Sequence, residues 1–270
     1  MKDKAKIQEI AKNVRKHIVN ASFKSNKSSH IGGSLSMVEI LSVLYGSILK
    51  YDLKKPSWSN RDRFILSKGH GALALFSILH EIGFINEKEF STYQQDESEF
   101  ISHPIMNINY GIESSNGSLG HGLSMGIGIS LASKLKKSNY RTFVLMGDGE
   151  CNEGSVWEAA ISAPYYKLDN LIAIVDRNNM QNDGHSKDIM EYSSFEGIWE
   201  SCGWEVITVD GHDLEQLYYA MENDAKLKVP KVIIADTIKG KGIPFMENVS
   251  SWHHGKLTQN LFEEAVQSLE

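Results

Sequence analysis

Apolar residues recur at three- and four-residue steps near the start of the chain, at Ile7, Ile10, Ala11, Val14 and Ile18. That spacing predicts one stripe of an amphipathic helix. A serine-rich stretch, Ser25 to Ser29, leads to His30-Ile31-Gly32-Gly33. Ser34 is placed to cap a second helix with Leu35, Val38, Leu41 and Leu44-Tyr45 on its inner face. Gly46 interrupts that helix late, at modest cost.

Short apolar runs then replace the helical period. Arg63–Ser67, Thr142–Met146, Leu171–Val175, Glu205–Val209 and Lys231–Ala235 read as buried strands. Helices are expected between them, near Ala72–Leu79, Gly126–Leu135, Glu153–Tyr166 and Leu214–Met221. Strands alternating with helices predict an α/β fold, a mostly parallel sheet with helices on both faces. No Pro/Gly/Ser linker divides the chain. The reading is one domain over 1–270, with a helical N-terminal extension to about residue 60. In such sheets ligands bind beyond the carboxyl ends of the strands, where Lys68-Gly69-His70-Gly71, Gly147-Asp148-Gly149 and Asp176-Arg177-Asn178-Asn179 fall.

The 270 residues are enough to bury a full core. A formal charge of −6 disfavours nucleic acid and anionic membrane as partners. No apolar run is long enough to span a bilayer, and the charged N-terminus is not a secretory signal. With two cysteines, reduced thiols in a cytoplasmic protein are the simplest expectation.

Gly147-Asp148-Gly149 on its own is a tight turn. Its context changes the picture. Asp148 follows one apolar strand and Asn178 the next, about thirty residues on, with one crossover helix between. Both side chains are then expected at the same sheet edge, where one cation can take both. A carboxylate and an amide oxygen are hard ligands suited to Mg²⁺ or Ca²⁺, and Mg²⁺ completes its shell with water and substrate phosphates. The pair therefore implies a phosphate-bearing ligand, most simply a diphosphate, and a backbone carbonyl just after Asn178 would add a further ligand.

Asn116 to Gly126 is glycine-rich and opens a helix. It reads either as an anion cradle or as a helix packed tightly on its neighbour. Of ten histidines, His17 and His80 lie in helical patterns and read as structural. His30, His70, His103, His121, His253 and His254 lie in loops. If they converge, they make a polar pocket that binds sugar hydroxyls and moves protons. The Lys239-Gly240-Lys241-Gly242 loop either closes over an anion or is plain surface. Cys151 has no apparent base and is assigned no role. No Gly-x-Gly-x-x-Gly sits between a strand and a helix as a dinucleotide site requires.

The Gly147-Asp148-Gly149 to Asn178-Asn179 stretch resembles the thiamine diphosphate signature. Further blocks look like transketolase, in the same order. They are Ser29 to Gly33, Arg61 to Gly71, Ser102-His103-Pro104, Gly117 to Gly122, Asp210-Gly211-His212-Asp213 and Trp252-His253-His254-Gly255. The resemblance implies that Asp148, the amide of Asn178 and the carbonyl of Met180 bind Mg²⁺, with Ca²⁺ as a substitute. It implies that His70, Gly117, Ser118, Leu119, Gly149, Glu153, Asn178 and His253 form the thiamine diphosphate site. Glu153 matches an acidic residue near the proton relay between active sites. His30, His70, His103 and His253 would line the sugar channel as catalytic groups.

Two departures are local. His253 and His254 are adjacent, whereas the family pattern separates its two histidines, so His253 is the choice for the catalytic one. Ser118 stands where proline is common. The larger departure is length, since a full transketolase is more than twice this size. The resemblance therefore implies the N-terminal, diphosphate-binding subunit of a split transketolase. It would move a two-carbon ketol unit from a ketose phosphate to an aldose, together with a C-terminal, pyrimidine-binding subunit in a heterotetramer of two of each. The rival readings are a deoxyxylulose phosphate synthase-like fragment, a 2-oxo-acid dehydrogenase alpha subunit, and a non-catalytic cofactor-binding partner. Ser29 to Gly33 and Ser102-His103-Pro104 favour transketolase over the first two. The intact histidine set argues against the third.

Overall fold

The computed structural model describes residues 3–222 and 228–270. The five expected strands all form: β1 Arg63–Leu66, β2 Thr142–Gly147, β3 Leu171–Arg177, β4 Glu205–Asp210 and β5 Lys231–Asp236. They make one sheet in the order β1-β2-β3-β5-β4. Every neighbouring pair is parallel.

The helices are α1 Lys4–Lys24, α2 Ile31–Leu35, α3 Val38–Val43, α4 Ala72–Glu81, α5 Glu87–Phe90, α6 Gly122–Leu135, α7 Gly154–Tyr165, α8 Ser186–Ile189, α9 Phe195–Ser201, α10 Leu214–Glu222 and α11 Gln259–Ser268. Residue alternation along each strand divides the core in two. Phe143, Leu145, Ile172, Ile174 and Ile233 pack on one face with Ile7, Val14 and Ile18 of α1 and with α3, α4 and α10. Val144, Met146, Ala173, Val175 and Ile234 pack on the other with Val156, Ala160 and Ala163 of α7 and Trp199 of α9. The α1 stripe thus shares one core with the sheet. α11, which the sequence pattern did not reveal, docks beside α1 by stacking Phe262 on Phe23 with ring centroids 4.1 Å apart.

Two helices depart from expectation. The single helix expected after Ser34 is broken into α2 and α3, followed by a wide π turn over Leu44–Ile48. Ser34 is not its cap. It lies inside α2, where its hydroxyl donates to the His30 carbonyl at 2.8 Å. The break follows Ser36, whose hydroxyl is drawn to Asp176 at 2.6 Å and to the Gly33 carbonyl at 3.1 Å. Such side-chain bonds compete with continued helix. α6 begins at Gly122, a turn earlier than expected, where the Gly122 N–H at the helix start donates to the Ser67 hydroxyl at 3.1 Å. A Cβ at Gly122 would collide with the Ser67 side chain, and one at Gly126 would come within 2.5 Å of Val144. Tight packing accounts for both glycines.

Ile174 is fully buried in the central strand. Ile174→Ala is expected to lower the free energy of unfolding by about 2–5 kcal/mol, read from urea denaturation. A change under about half a kcal/mol would show that this strand is not the core its burial indicates.

Candidate functional site

The register pairs Gly147 with Asp176, so Asp148 and Asn178 leave the sheet from adjoining strand tips. The Asp148 N–H donates to the Asp176 carbonyl at 3.2 Å. The Asp148 side chain is buried and accepts the Ser186 hydroxyl at 2.8 Å. The Ser186 backbone N–H reaches the Asn179 carbonyl at 3.0 Å, so Ser186 ties the two tips together. Asn178 is buried, and its Oδ1 takes the Met180 N–H at 3.2 Å. The Met180 carbonyl in turn accepts Lys239 Nζ at 3.2 Å.

Burial, with a lesser contribution from Asp176, pushes the Asp148 carboxyl up to about 6. Among the described residues no cationic side chain forms an ion pair with it. Lys68 and Lys239 act on it only from a distance, and a buried carboxylate with no direct ion pair is the group a divalent cation would compensate, the neighbouring donors being oxygens, as Mg²⁺ or Ca²⁺ requires. Among the described residues no group of three or more His, Cys, Asp or Glu is placed to hold a metal. Asp148, Asn178 and the Met180 carbonyl thus offer an incomplete set that fits an ion bringing its own phosphate and water. A cavity of about 310 Å³ beside it is lined by Asp148, Asn179, Gln181, Ser186 and Tyr192, among others.

The loop histidines converge. The His30 ring lies 5.4 Å from those of His70 and His253, 5.8 Å from His103 and 4.5 Å from His254, centroid to centroid. The His70 and His253 rings are 5.2 Å apart. Desolvation, and then the neighbouring cations and imidazoles, lower His30 to about 3 and His253 to about 4. His70 is lowered well below its ordinary value and burial lowers His103. All four rings are therefore neutral near pH 7. Both members of the adjacent pair touch the cluster, but His253 is half-buried and accepts from Lys239 at 2.8 Å, whereas His254 is exposed. His121 is exposed at the start of α6. His17 and His80 lie outside this cluster, on α1 and α4, with their own rings 4.7 Å apart, and His17 pairs with Glu81.

Lys239 departs from one of the two readings of its loop. It is buried rather than on plain surface, and its Nζ reaches Met180 and Gln181 carbonyls on one side and His253 on the other. Burial, with Lys68 nearby, lowers it to about 8.

Sequence reasoning did not single out three buried groups. Lys68 and Asp176 form an ion pair at 2.5 Å, both essentially without exposure. Asp176 also accepts from Ser36 and Thr237, and Lys68 donates to the Gly33 carbonyl at 3.1 Å. Glu150 accepts from Ser67, from the Gly120 N–H at 2.8 Å and from the Gly147 N–H at 3.1 Å. It joins the glycine-rich segment to the tips of β1 and β2. The signal was present: each is a charged residue close to an apolar strand's end.

The remaining candidates are less drawn in. Gly117 faces the His103 ring, Ser118 is exposed, and Leu119 and Gly149 are half-buried. Glu153 is exposed at the start of α7 with its side chain against Gly120. Cys151 is buried, and burial pushes its thiol up, in keeping with no role.

Residues 7–269 match the family model described as "Transketolase, thiamine diphosphate binding domain". The chain is 41% identical over 256 residues to a protein of Phocaeicola vulgatus named as one of the subunits of apulose-4-phosphate transketolase, covering 94% of this chain and 90% of that one. It is 38% identical over 242 residues to the 6-deoxy-6-sulfo-D-fructose transketolase subunit SqwG of a Clostridium species, covering 89% and 88%. Among solved structures, transketolase from Campylobacter jejuni superposes with a TM-score of 0.88 at 29% identity over 97% of this chain. The chain spans 42% of that structure's length. With nearly its whole length matched, and its strand tips carrying the motif residues, the chain belongs to the transketolase family, to its thiamine diphosphate binding domain.

Proposed function

We propose that this chain, as a single domain over 1–270, is the diphosphate-binding subunit of a two-subunit transketolase. The observation that carries the reading is Lys239, whose one ammonium touches both the Met180 carbonyl of the oxygen set and His253 of the histidine cluster. Cation site and proton-moving pocket are therefore one site. The two relatives named as subunits, matched over about nine-tenths of their length, support a separate partner chain. We take that partner to be the pyrimidine-binding subunit, in a heterotetramer of two of each.

In this reading Asp148, the Asn178 amide and the Met180 carbonyl hold Mg²⁺, with Ca²⁺ as a substitute, against the diphosphate. His70, Gly117, Ser118, Leu119 and Gly149 flank the thiamine diphosphate. Glu153, exposed at the edge, is left facing a neighbouring subunit. When bound, the cofactor supplies the electron sink for breaking a carbon–carbon bond. The chain's own part is positioning and proton transfer. Lys239 donates to Nδ1 of neutral His253, which fixes the tautomer with the proton on Nε2. His30 keeps a buried Nδ1 without a hydrogen-bond partner among the described residues, and is placed to accept a proton or a hydroxyl hydrogen from a sugar phosphate.

Three outcomes test this. The chain alone is expected to give no ketol transfer from xylulose 5-phosphate, and activity is expected to appear when a C-terminal subunit is added. Activity with pyruvate instead would move the chain to a different thiamine diphosphate chemistry. In the reconstituted enzyme, His253→Ala should lower kcat about 10²- to 10⁴-fold. Mg²⁺ with thiamine diphosphate should raise the melting temperature of the assembly, by an amount equivalent to about 2.7 kcal/mol at a hundredfold excess over Kd. Asp148→Asn should remove that shift.

The pH dependence has a definite sign. Histidines whose folded pKa is lowered bind fewer protons when folded, so stability is lost as the pH falls from about 6.5 toward 4. Asp148, raised to about 6, and Glu150, also raised by burial, work in the opposite direction, but they are two carboxyls against four imidazoles. The urea midpoint should therefore be lower at pH 5 than at pH 7, and His30→Gln should flatten the difference.

A further inference from the structure

The segment Thr237–Gly242 carries Lys239 into the site, yet a cluster outside the site grips it at both ends. At one end, His212 Nε2 accepts the Ile238 N–H at 2.9 Å. At the other, Arg15 Nε on α1 donates to the Lys241 carbonyl at 3.2 Å. Glu39 of α3 joins the two grips. Its Oε1 takes Arg15 at 2.5 Å, and its Oε2 lies 2.9 Å from His212 Nδ1. Glu39 is 8% exposed. Burial alone would raise its carboxyl, but His212 and Arg15 hold it below the ordinary range.

We propose that Arg15, Glu39 and His212 are positioning residues that set where Lys239 points. The argument is one of hydrogen-bond polarity. An amide N–H can only donate, so His212 must present a bare Nε2 to Ile238. That requires the proton on Nδ1, and ionised Glu39 is the acceptor that keeps it there. Glu39 thus selects the imidazole tautomer, and the tautomer holds the segment. Between the grips the backbone has little freedom. Gly240 has φ +81° and lies against the Met246 carbonyl, and its N–H donates to the Gly32 carbonyl at 3.0 Å. Releasing Ile238 frees the peptide that leads into Lys239, and Lys239 Nζ then leaves Met180 and His253. None of the three side chains makes a hydrogen bond or ion pair with Asp148, Asn178 or the clustered histidines among the described residues. Their influence is exerted through the segment.

The proposal rests on the reading above only in taking the Lys239–His253 pocket as the working site. Its test uses the chain without cofactor or partner, so it can fail while that reading stands. In Glu39→Gln, the amide cannot accept from both Arg15 and His212, and one grip is lost. Hydrogen exchange at the Ile238 and Gly240 amides should rise at least about tenfold, a loss of about 1.4 kcal/mol of local protection. Amides of the central strand should keep their protection, and the imidazole ¹⁵N signals of His253 should shift as Lys239 withdraws from Nδ1. His212→Gln, whose amide oxygen can still accept the Ile238 N–H, should exchange more slowly at Ile238 than His212→Phe. Exchange unchanged at Ile238, or raised equally throughout the sheet, or no difference between the two His212 variants, would overturn the proposal.

Discussion

The Lys68–Asp176 ion pair is the constraint on which the site depends. Both charges are out of water, and each is surrounded by hydrogen-bond partners from different parts of the chain: Gly33 and Ser36 around α2, and Thr237 after β5. Stripping one partner from such a pair costs about 3–5 kcal/mol, because the other is left buried and unmatched. The same bonds that settle this charge break the helix at Ser36 and bring His30, at the head of α2, over the strand tips. A local departure from regular helix is thus explained by an electrostatic demand far away in sequence.

Burial also fixes what the pocket can do. His30, His70, His103 and His253 crowd together with two ammonium groups close by, and the outcome is neutral rings. A neutral imidazole both accepts and donates, which an imidazolium cannot. The nearby Lys239 reinforces this by occupying Nδ1 of His253 as a donor. The Met180 carbonyl and the histidine cluster are joined by a single side chain, so displacement of the loop that bears it disturbs both at once.

Much of this was legible in the sequence. Short apolar runs marked all five strands: the central ones are buried on both faces and so continuously apolar, while β4, expected to be buried, lies at the sheet edge and is only partly covered. The Asp148 and Asn178 pair was legible because parallel strands send their carboxyl ends to one edge. The histidine cluster was visible as composition but not as geometry, since convergence depends on how α2 and the Trp252–Gly255 segment fold back over the sheet. Lys68 and Asp176 were visible only as members of strand-end clusters, and their burial, like that of Glu150, was not, because charged residues at strand ends ordinarily face water and only the packing of distant segments shuts water out. The break between α2 and α3 escaped for the same reason. The serines there look like helix surface until a buried carboxylate claims one of them.

The pairing of Gly147 with Asp176 makes the sheet a ruler for the site. Side chains alternate faces along a strand, so a residue inserted within β2 or β3 would turn Asp148 or Asn178 toward the wrong layer and exchange the two cores along with it. Length changes in exposed stretches away from those tips, such as residues 51–60 ahead of β1, carry no such penalty. Insertions and deletions across related chains should therefore be concentrated in those surface excursions, while the spacing from strand interior to strand tip stays fixed to the residue.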